Sequence, residues 1–543
     1  MGMSKNFLTI RLLIVIAVPF VLFQNCSSGV VSSAIPGLNV SKSSSTSIIP
    51  VPLVGGTEIW SNYFGGDNGG PVSGHSAATP LPGVNSFRIA GPAFTGTNID
   101  DSSPAWQATK AGVLGELSKD HDVIYLLRSF GMQFSGTIQF LTLTDPNACQ
   151  ADQNKCASIL ALQKWVTQQV REILALRPNA LAHVYFELGN EINSACASLA
   201  VEDYLNHKND QPVGPNCKGY GRSDPNIIPL YAESVLAPEV AAILKFNPAA
   251  NIVMPSAMAT YDTNVMDWVS HFLEYQVQGY LVQDGLQHLV DGKAIGDLVS
   301  VLNHHYTVTG PMKNLKEAGP WETDMDSYWS IVQSHHMKGL WATEELGLLR
   351  GSPQGTGPGQ KPRGGQGASS VVRLISQYLY FANKNNLNSD QLRAYFWGWN
   401  LEPEKSQTSG FFGFQQSVKI LGADHIKNVE IKQTSLDPDL SEAHAFQGRD
   451  SGKIFLYVFP KNIWSGLTLN QWTVSLEAVD LQKFSPHAVV HLFTNKGYIE
   501  SSMLVDLSTL SFQLPAPIEL GSAAESNHQD VMLIELDPLT PAL

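Results

Sequence analysis

From about residue 53 onward, short apolar runs alternate with longer amphipathic stretches. VNSFRIAG (84–91), DVIYLLRSFGMQF (122–134), HVYFELGN (183–190), NIVMPSA (251–257), LVSVLNHHY (298–306), GLWATEEL (339–346) and LRAYFWGWN (392–400) have the length and residue content of strands. Between them, ILALQKWVTQQVREILAL (159–176), IPLYAESVLAPEVAAILKF (228–246) and SSVVRLISQYLYFANKN (369–385) carry apolar residues at helical spacing. Strand alternating with helix predicts βαβ units and a parallel sheet. Seven such strands spread over about 350 residues fit a closed (β/α)8 TIM barrel more economically than an open sheet.

The pattern changes near residue 405. IFLYVFPK, WTVSLEAVD, AVVHLFTN, FQLPA and VMLIELDP are short strands at close spacing, with turn residues between them. They predict an appended antiparallel β-sandwich over 406–543, after a catalytic barrel at 53–405. GSPQGTGPGQKPRGGQGASS (351–370) interrupts the barrel as a Gly/Pro-rich loop on the face where barrel loops build sites.

The first 26 residues have a different character. Lys5 and Arg11 lead into the apolar run Leu12 to Phe23, which is shorter than the about 20 residues needed to span a bilayer and has the size of a signal-peptide core. Cys26 follows directly, as at the lipidation site of a bacterial lipoprotein; cleavage near Ser32–Ala34 is the alternative, leaving a free secreted protein. Either way the chain is expected to be exported, with membrane contact only through the lipid where Cys26 carries one. Residues 27–52 are Ser-rich and read as a tether. In an oxidising compartment Cys149, Cys156, Cys196 and Cys217 are expected to form two disulfides, with 149–156 and 196–217 favoured on proximity among three pairings.

Charge narrows the partners. The chain holds 34 Lys and Arg against 48 Asp and Glu, a net charge of −14, which becomes about −16 once Lys5 and Arg11 leave with the signal. With no long basic run, the charge argues against nucleic acid and against strongly polyanionic partners. With 43% hydrophobic residues a sizeable core is assured, and a monomer is expected.

The chemistry concentrates at predicted strand ends. Glu187, Gly189 and Glu191 share one face of the strand HVYFELGN and its continuation, with Asn190 beside Glu191. A strand's C-terminal end opens onto the catalytic face of a barrel. Hydrolysis of a glycosidic bond needs one carboxyl to protonate the leaving oxygen and a second carboxylate across the sugar, about 5–5.5 Å away in a retaining enzyme. The second acid comes from GLWATEELG, where Glu344 and Glu345 adjoin and point in opposite directions, so only one can face the barrel mouth. His304, His305 and Tyr306 end the strand between them; a Tyr there can keep a carboxylate ionised by hydrogen bonding. No third ligand accompanies the two histidines in sequence, so no metal is expected, nor any other cofactor. Trp60, Trp397 and Trp399 lie near strand ends, where they would either stack on sugars or pack the barrel.

SFRIAGPAFTGTNID, HVYFELGNEINS, LVSVLNHHYTVTG and GLWATEELGLL together resemble successive landmarks of the heparanase-type family of retaining glycosidases, in that family's order over about residues 84–400. The resemblance implies a (β/α)8 barrel with the acid/base on strand 4, similar to Glu191 with Asn190 at its side, and the nucleophile on strand 7. Glu344 corresponds to that nucleophile; an alignment on Glu-x-Gly would choose Glu345. Arg88 looks like the strand-2 arginine that supports the nucleophile, Tyr306 like its hydroxyl partner, and His305 like a supporting residue. Where that family has small hydroxyl residues after the nucleophile, this chain has Glu345-Leu346-Gly347. Sulfated glycans need basic clusters, and the cleft-facing segments carry few. A neutral or uronic-acid-containing oligo- or polysaccharide is the expected substrate.

Overall fold

A computed structural model describes residues 58–67, 84–94, 99–132, 138–140, 157–177, 180–193, 223–258, 264–305, 321–345, 368–397, 407, 410–460, 467–494, 497–508, 510–520 and 530–539. Cys26, the tether, the other four cysteines, Tyr306, Trp399 and nearly all of the loop 351–370 lie outside the described residues.

Among the described residues, eight parallel strands form a closed barrel: β1 (Phe64–Asp67), β2 (Ser86–Ala93), β3 (Asp122–Met132), β4 (Val184–Asn190), β5 (Asn251–Val253), β6 (Val301–His305), β7 (Gly339–Glu345) and β8 (Leu392–Trp397). They pair in the order β2-β1-β8-β7-β6-β5-β4-β3, and β2 pairs with β3 to close the ring. Helices follow the strands: α1 (Pro104–Leu117) after β2, α2 (Ala157–Leu174) after β3, α3 (Ile227–Phe246) after β4, and α4 (Val265–Glu274) after β5. Next come α5 (Trp321–Ser334) after β6, α6 (Ala368–Asn385) after β7 and α7 (Gly410–Leu421) after β8. Ile124, Tyr185, Val253, Val301, Trp341 and Tyr395 pack into one buried cluster inside the barrel. α3 is long and apolar enough to cross a membrane, but here it is a core helix whose side chains are largely buried.

β1 shows no strand pattern in the sequence, and the reason is steric. Tyr395 fills the space inside the barrel beside Gly65, and a Cβ there would collide with its ring. The strand is therefore FGGD rather than an apolar run. The expected boundary at 405/406 precedes α7, which packs against α6 as the eighth unit's helix, and the first sandwich strand starts only at Ile426. Trp60 is wholly buried against Phe64 and Phe414, with its indole N–H donating to the Gly422 carbonyl (2.9 Å), so it packs the fold and contacts no cleft.

The C-terminal region forms nine antiparallel strands, β9 (Ile426–Val429), β10 (Ile431–Thr434), β11 (Ser441–Gly448), β12 (Ile454–Pro460), β13 (Leu467–Leu476), β14 (Phe484–Thr494), β15 (Gly497–Asp506), β16 (Ser511–Leu520) and β17 (Val531–Pro538). Ile454, Leu456 and Val458 of β12 face the sandwich core, while Phe455, Tyr457 and Phe459 join the core of the barrel. Covered on both faces, this strand reads as an unbroken apolar run rather than an alternating one.

Candidate active site

Three adjoining features of β4 set the position of Glu191. Gly189 has φ +81°, and a Cβ on it would sit 2.8 Å from the Phe130 carbonyl, so only glycine fits. Glu191 itself has φ +50°, an uncommon conformation for a residue with a side chain. Its amide is held by Ser256 Oγ (2.9 Å), which follows β5. The simple alternation that would put Glu187, Gly189 and Glu191 on one face is thus broken at Gly189; the turn carries Glu191 to the rim while Glu187 stays inside.

Glu187 is the hub of the interior. It is fully buried and accepts Arg88 Nε at 2.6 Å and Arg88 Nη2 at 2.9 Å. Asn303 Nδ2 and the Thr343 hydroxyl each donate to it at 3.0 Å. Burial alone would raise its pKa, but the Arg88 charge, together with hydrogen bonding and charge from His305, brings it down to about 2. Arg88 also reaches the rim, donating from Nη1 to Glu344 at 2.5 Å and from the second hydrogen of Nη2 to Asn190 Oδ1 at 3.0 Å.

On β7 the strand register shifts: His304 pairs with Ala342 but His305 with Glu344, leaving Thr343 as an extra residue. This bulge turns both Thr343 and Glu344 inward. Glu345 faces the helix layer instead, accepting from the Tyr378 hydroxyl of α6 at 3.0 Å. On β6 the adjacent histidines part in the same way. His304 stacks on Tyr328 of α5 (4.6 Å between ring centres), and burial with the neighbouring His305 charge lowers its pKa to about 3. His305 enters the barrel, with Nδ1 3.0 Å from Glu191 Oε1 and 3.6 Å from Glu344 Oε2, and Nε2 3.0 Å from Thr343 Oγ1. Burial would lower its pKa, but Glu344, Glu187 and Glu191 outweigh that and raise it to about 9.

The structure therefore brings Glu191, Glu344, Asn190, Arg88 and His305 into one cluster at the mouth. Tyr306 lies outside the described residues, as does the Trp397 side chain. Glu191 and Glu344 are 6% and 8% exposed against 0% for Glu187, so of the three inward acids only the first two can be reached from the mouth. One ligand atom from each of Glu191, His305 and Glu344 lies within 4.8 Å of the others, a trio that could hold a cation and that the sequence did not suggest. Arg88 stands beside this trio, donating to Glu344 at 2.5 Å. Glu187 and Thr343 were missed in the sequence; the only available signal was that Glu187 points the same way as the interior face of β4.

No protein-family model and no characterised protein sequence matches the chain. Among solved structures, the chain aligns with CelM2, a bifunctional glucanase-xylanase from a metagenome library, at 12% identity and TM-score 0.45, covering 89% of this chain and 97% of that one. It aligns with the family 44 endoglucanase Cel44A from Clostridium thermocellum at 13% identity and TM-score 0.44, covering 88% and 96%. The family 51 α-L-arabinofuranosidase AbfB from Bifidobacterium longum aligns at 12% identity and TM-score 0.43, covering 90% and 98%.

Proposed function

We propose that this chain is an exported retaining glycoside hydrolase that cleaves a neutral or uronic-acid-containing glycan by double displacement. The observation that carries the reading is the pairing of two reachable carboxylates across His305, with oxygens within 4.8 Å of one another at the open end of a closed barrel. That spacing suits a retaining pair, about 5–5.5 Å apart, and leaves too little room for the water an inverting pair must hold between sugar and base.

Glu344 attacks the anomeric carbon. Arg88, 2.5 Å away, favours its ionised form and so keeps the nucleophile charged. Glu191 protonates the leaving oxygen, with His305 Nδ1 3.0 Å from its Oε1. Once Glu344 is glycosylated its charge is gone, and Glu191 takes a proton from the incoming water. With its oxygen on Arg88, Asn190 presents its NH2 group, the donor that a sugar 2-hydroxyl requires.

The test is a panel of cyclophellitol-type epoxides and aryl glycosides of gluco, glucurono, xylo and arabino configuration. One epoxide should label Glu344, labelling should vanish in Glu344→Gln, and turnover of the matching glycoside should fall by about 10³-fold or more. Product released with inverted configuration would defeat the retaining mechanism. Absence of both labelling and turnover across the panel would leave a glycan-binding protein without catalysis.

A further inference from the structure

A second cleft, of about 490 Å³, lies on the outer wall of the barrel, away from the catalytic mouth. Its floor is α2, and two glutamines five residues apart on that helix fix its sides. Gln168 accepts from the Ile99 amide (3.1 Å) and donates to the Ile99 carbonyl (3.0 Å). Gln163 accepts from the Gln283 amide (3.2 Å) and donates to the Gln283 carbonyl (3.5 Å). Each side-chain amide thus pairs with both backbone groups of a single residue, as a neighbouring strand would, and each clamps one loop beside the helix. The cleft is formed before any ligand arrives.

Its charge opposes that of the whole chain. Lys164, Arg171 and Lys245 line it against one acid, Asp284, in a protein of net charge −14. Lys164 and Arg171 stand seven residues apart on α2, two helical turns, so they present cations along one face about 10 Å apart. None of the three cations makes an ion pair with a described residue. Glu172, the one acid on α2, is not in the lining; it accepts from Trp106, Lys110 and, at 3.1 Å, the lining Gln168. Like charges gathered in a cleft of a protein of opposite net charge repel one another, and a ligand with two or more spaced anionic groups relieves that repulsion.

We propose that this cleft is a binding site for an acidic oligosaccharide, a segment carrying successive uronate carboxylates, separate from the catalytic mouth. The carboxylates are taken by Lys164, Arg171 and Lys245, and the volume suits a ligand of small-molecule size. The choice of a sugar over another polyanion rests on the glycosidase reading; the anionic class does not.

Binding of a tetragalacturonate, its carboxyl-reduced neutral counterpart and inorganic tripolyphosphate is to be measured by calorimetry on the full chain. The Glu344→Gln chain and the same chain carrying Lys164→Gln, Arg171→Gln and Lys245→Gln are compared. The acidic sugar should bind, weaken with salt, and lose about tenfold in affinity in the triple variant, while the neutral sugar fails to bind. In the otherwise unaltered chain, the triple substitution should leave aryl glycoside turnover unchanged. Equal affinity of the triple variant, or equal binding of the neutral sugar, overturns the site; tripolyphosphate binding as well as the sugar overturns the saccharide assignment. Lys245→Glu, a single exposed change, gives the same reading should the triple variant fold poorly. If no glycoside is ever turned over, the calorimetry still decides the cleft.

Discussion

Two fully buried glutamates of one βα unit of the barrel hold opposite protonation states. Glu187, inside the barrel, is pulled down to about 2 despite burial. Glu239, on α3 in the helix layer, is pushed by burial up to about 8, with the Ser129 hydroxyl acting weakly the other way. Both are 0% exposed, so depth does not distinguish them. What differs is company: Glu187 meets a bidentate guanidinium and a protonated imidazole, whereas Glu239 meets one neutral hydroxyl. A carboxyl taken out of water stays charged only where fixed positive charge replaces the solvent. The barrel interior provides that replacement, and the same Arg88 and His305 also reach Glu344 and Glu191 at the rim.

The largest disturbance of this comparison is Arg88→Met. It leaves Glu187 and Glu344 facing each other with His305 as the one remaining cation among the described contacts. Breaking a buried pair from one side costs about 3–5 kcal/mol, to be read as a shift in urea midpoint at pH 7, with loss of turnover. A cost below about 1 kcal/mol would mean that the guanidinium is not what keeps Glu187 charged.

Glu187→Gln should act next most strongly, costing about 1–3 kcal/mol through lost charge-assisted hydrogen bonds to Arg88. The native Glu187 contribution is present above its unfolded value near 4.5 and is lost as pH falls through about 2. His305 behaves in the opposite sense: its contribution is complete below 6.5 and disappears as pH rises through about 9. Activity that needs protonated His305 should therefore decline above about pH 9, and Glu187→Gln should move that basic limb to lower pH. A limb that stays in place would detach Glu187 from the proton's fate.

How far the sequence reveals this site depends on the range of each interaction. Glu191 and Asn190 end a strand whose pattern is visible in a few residues. Glu187 lies on the same strand, where alternation marks its face but not its role, which resides in Arg88, 99 positions earlier. Between Glu344 and Glu345, alternation predicts only that one faces inward; the bulge at Thr343 decides which, and a bulge arises from pairing with β6 rather than from composition. His304 and His305 divide for the same reason. The barrel itself was readable where strands are apolar and helices amphipathic, as in β4 and α2. It was unreadable at β1, where Gly65 makes room for Tyr395, and at α1, whose Gly112 and Gly115 dilute its apolar face.

The effect on the other member of the comparison vanishes at low pH, grows as pH rises, and has the unusual sign. Glu239 is neutral when folded at pH 7 but ionised when unfolded, so the folded state holds a proton that the unfolded chain has released. Between the unfolded value near 4.5 and the folded value of about 8, each rise in pH therefore weakens the fold, by on the order of 1 kcal/mol per unit. Glutamine has nearly the shape of the protonated acid and can still pair with Ser129, but carries no such linkage. Glu239→Gln should match the native chain in urea midpoint near pH 4.5 and become progressively the more stable of the two up to about pH 8. Parallel stability curves across that interval would show that Glu239 is ionised in the folded state, and that some cation outside the described contacts serves it as Arg88 serves Glu187.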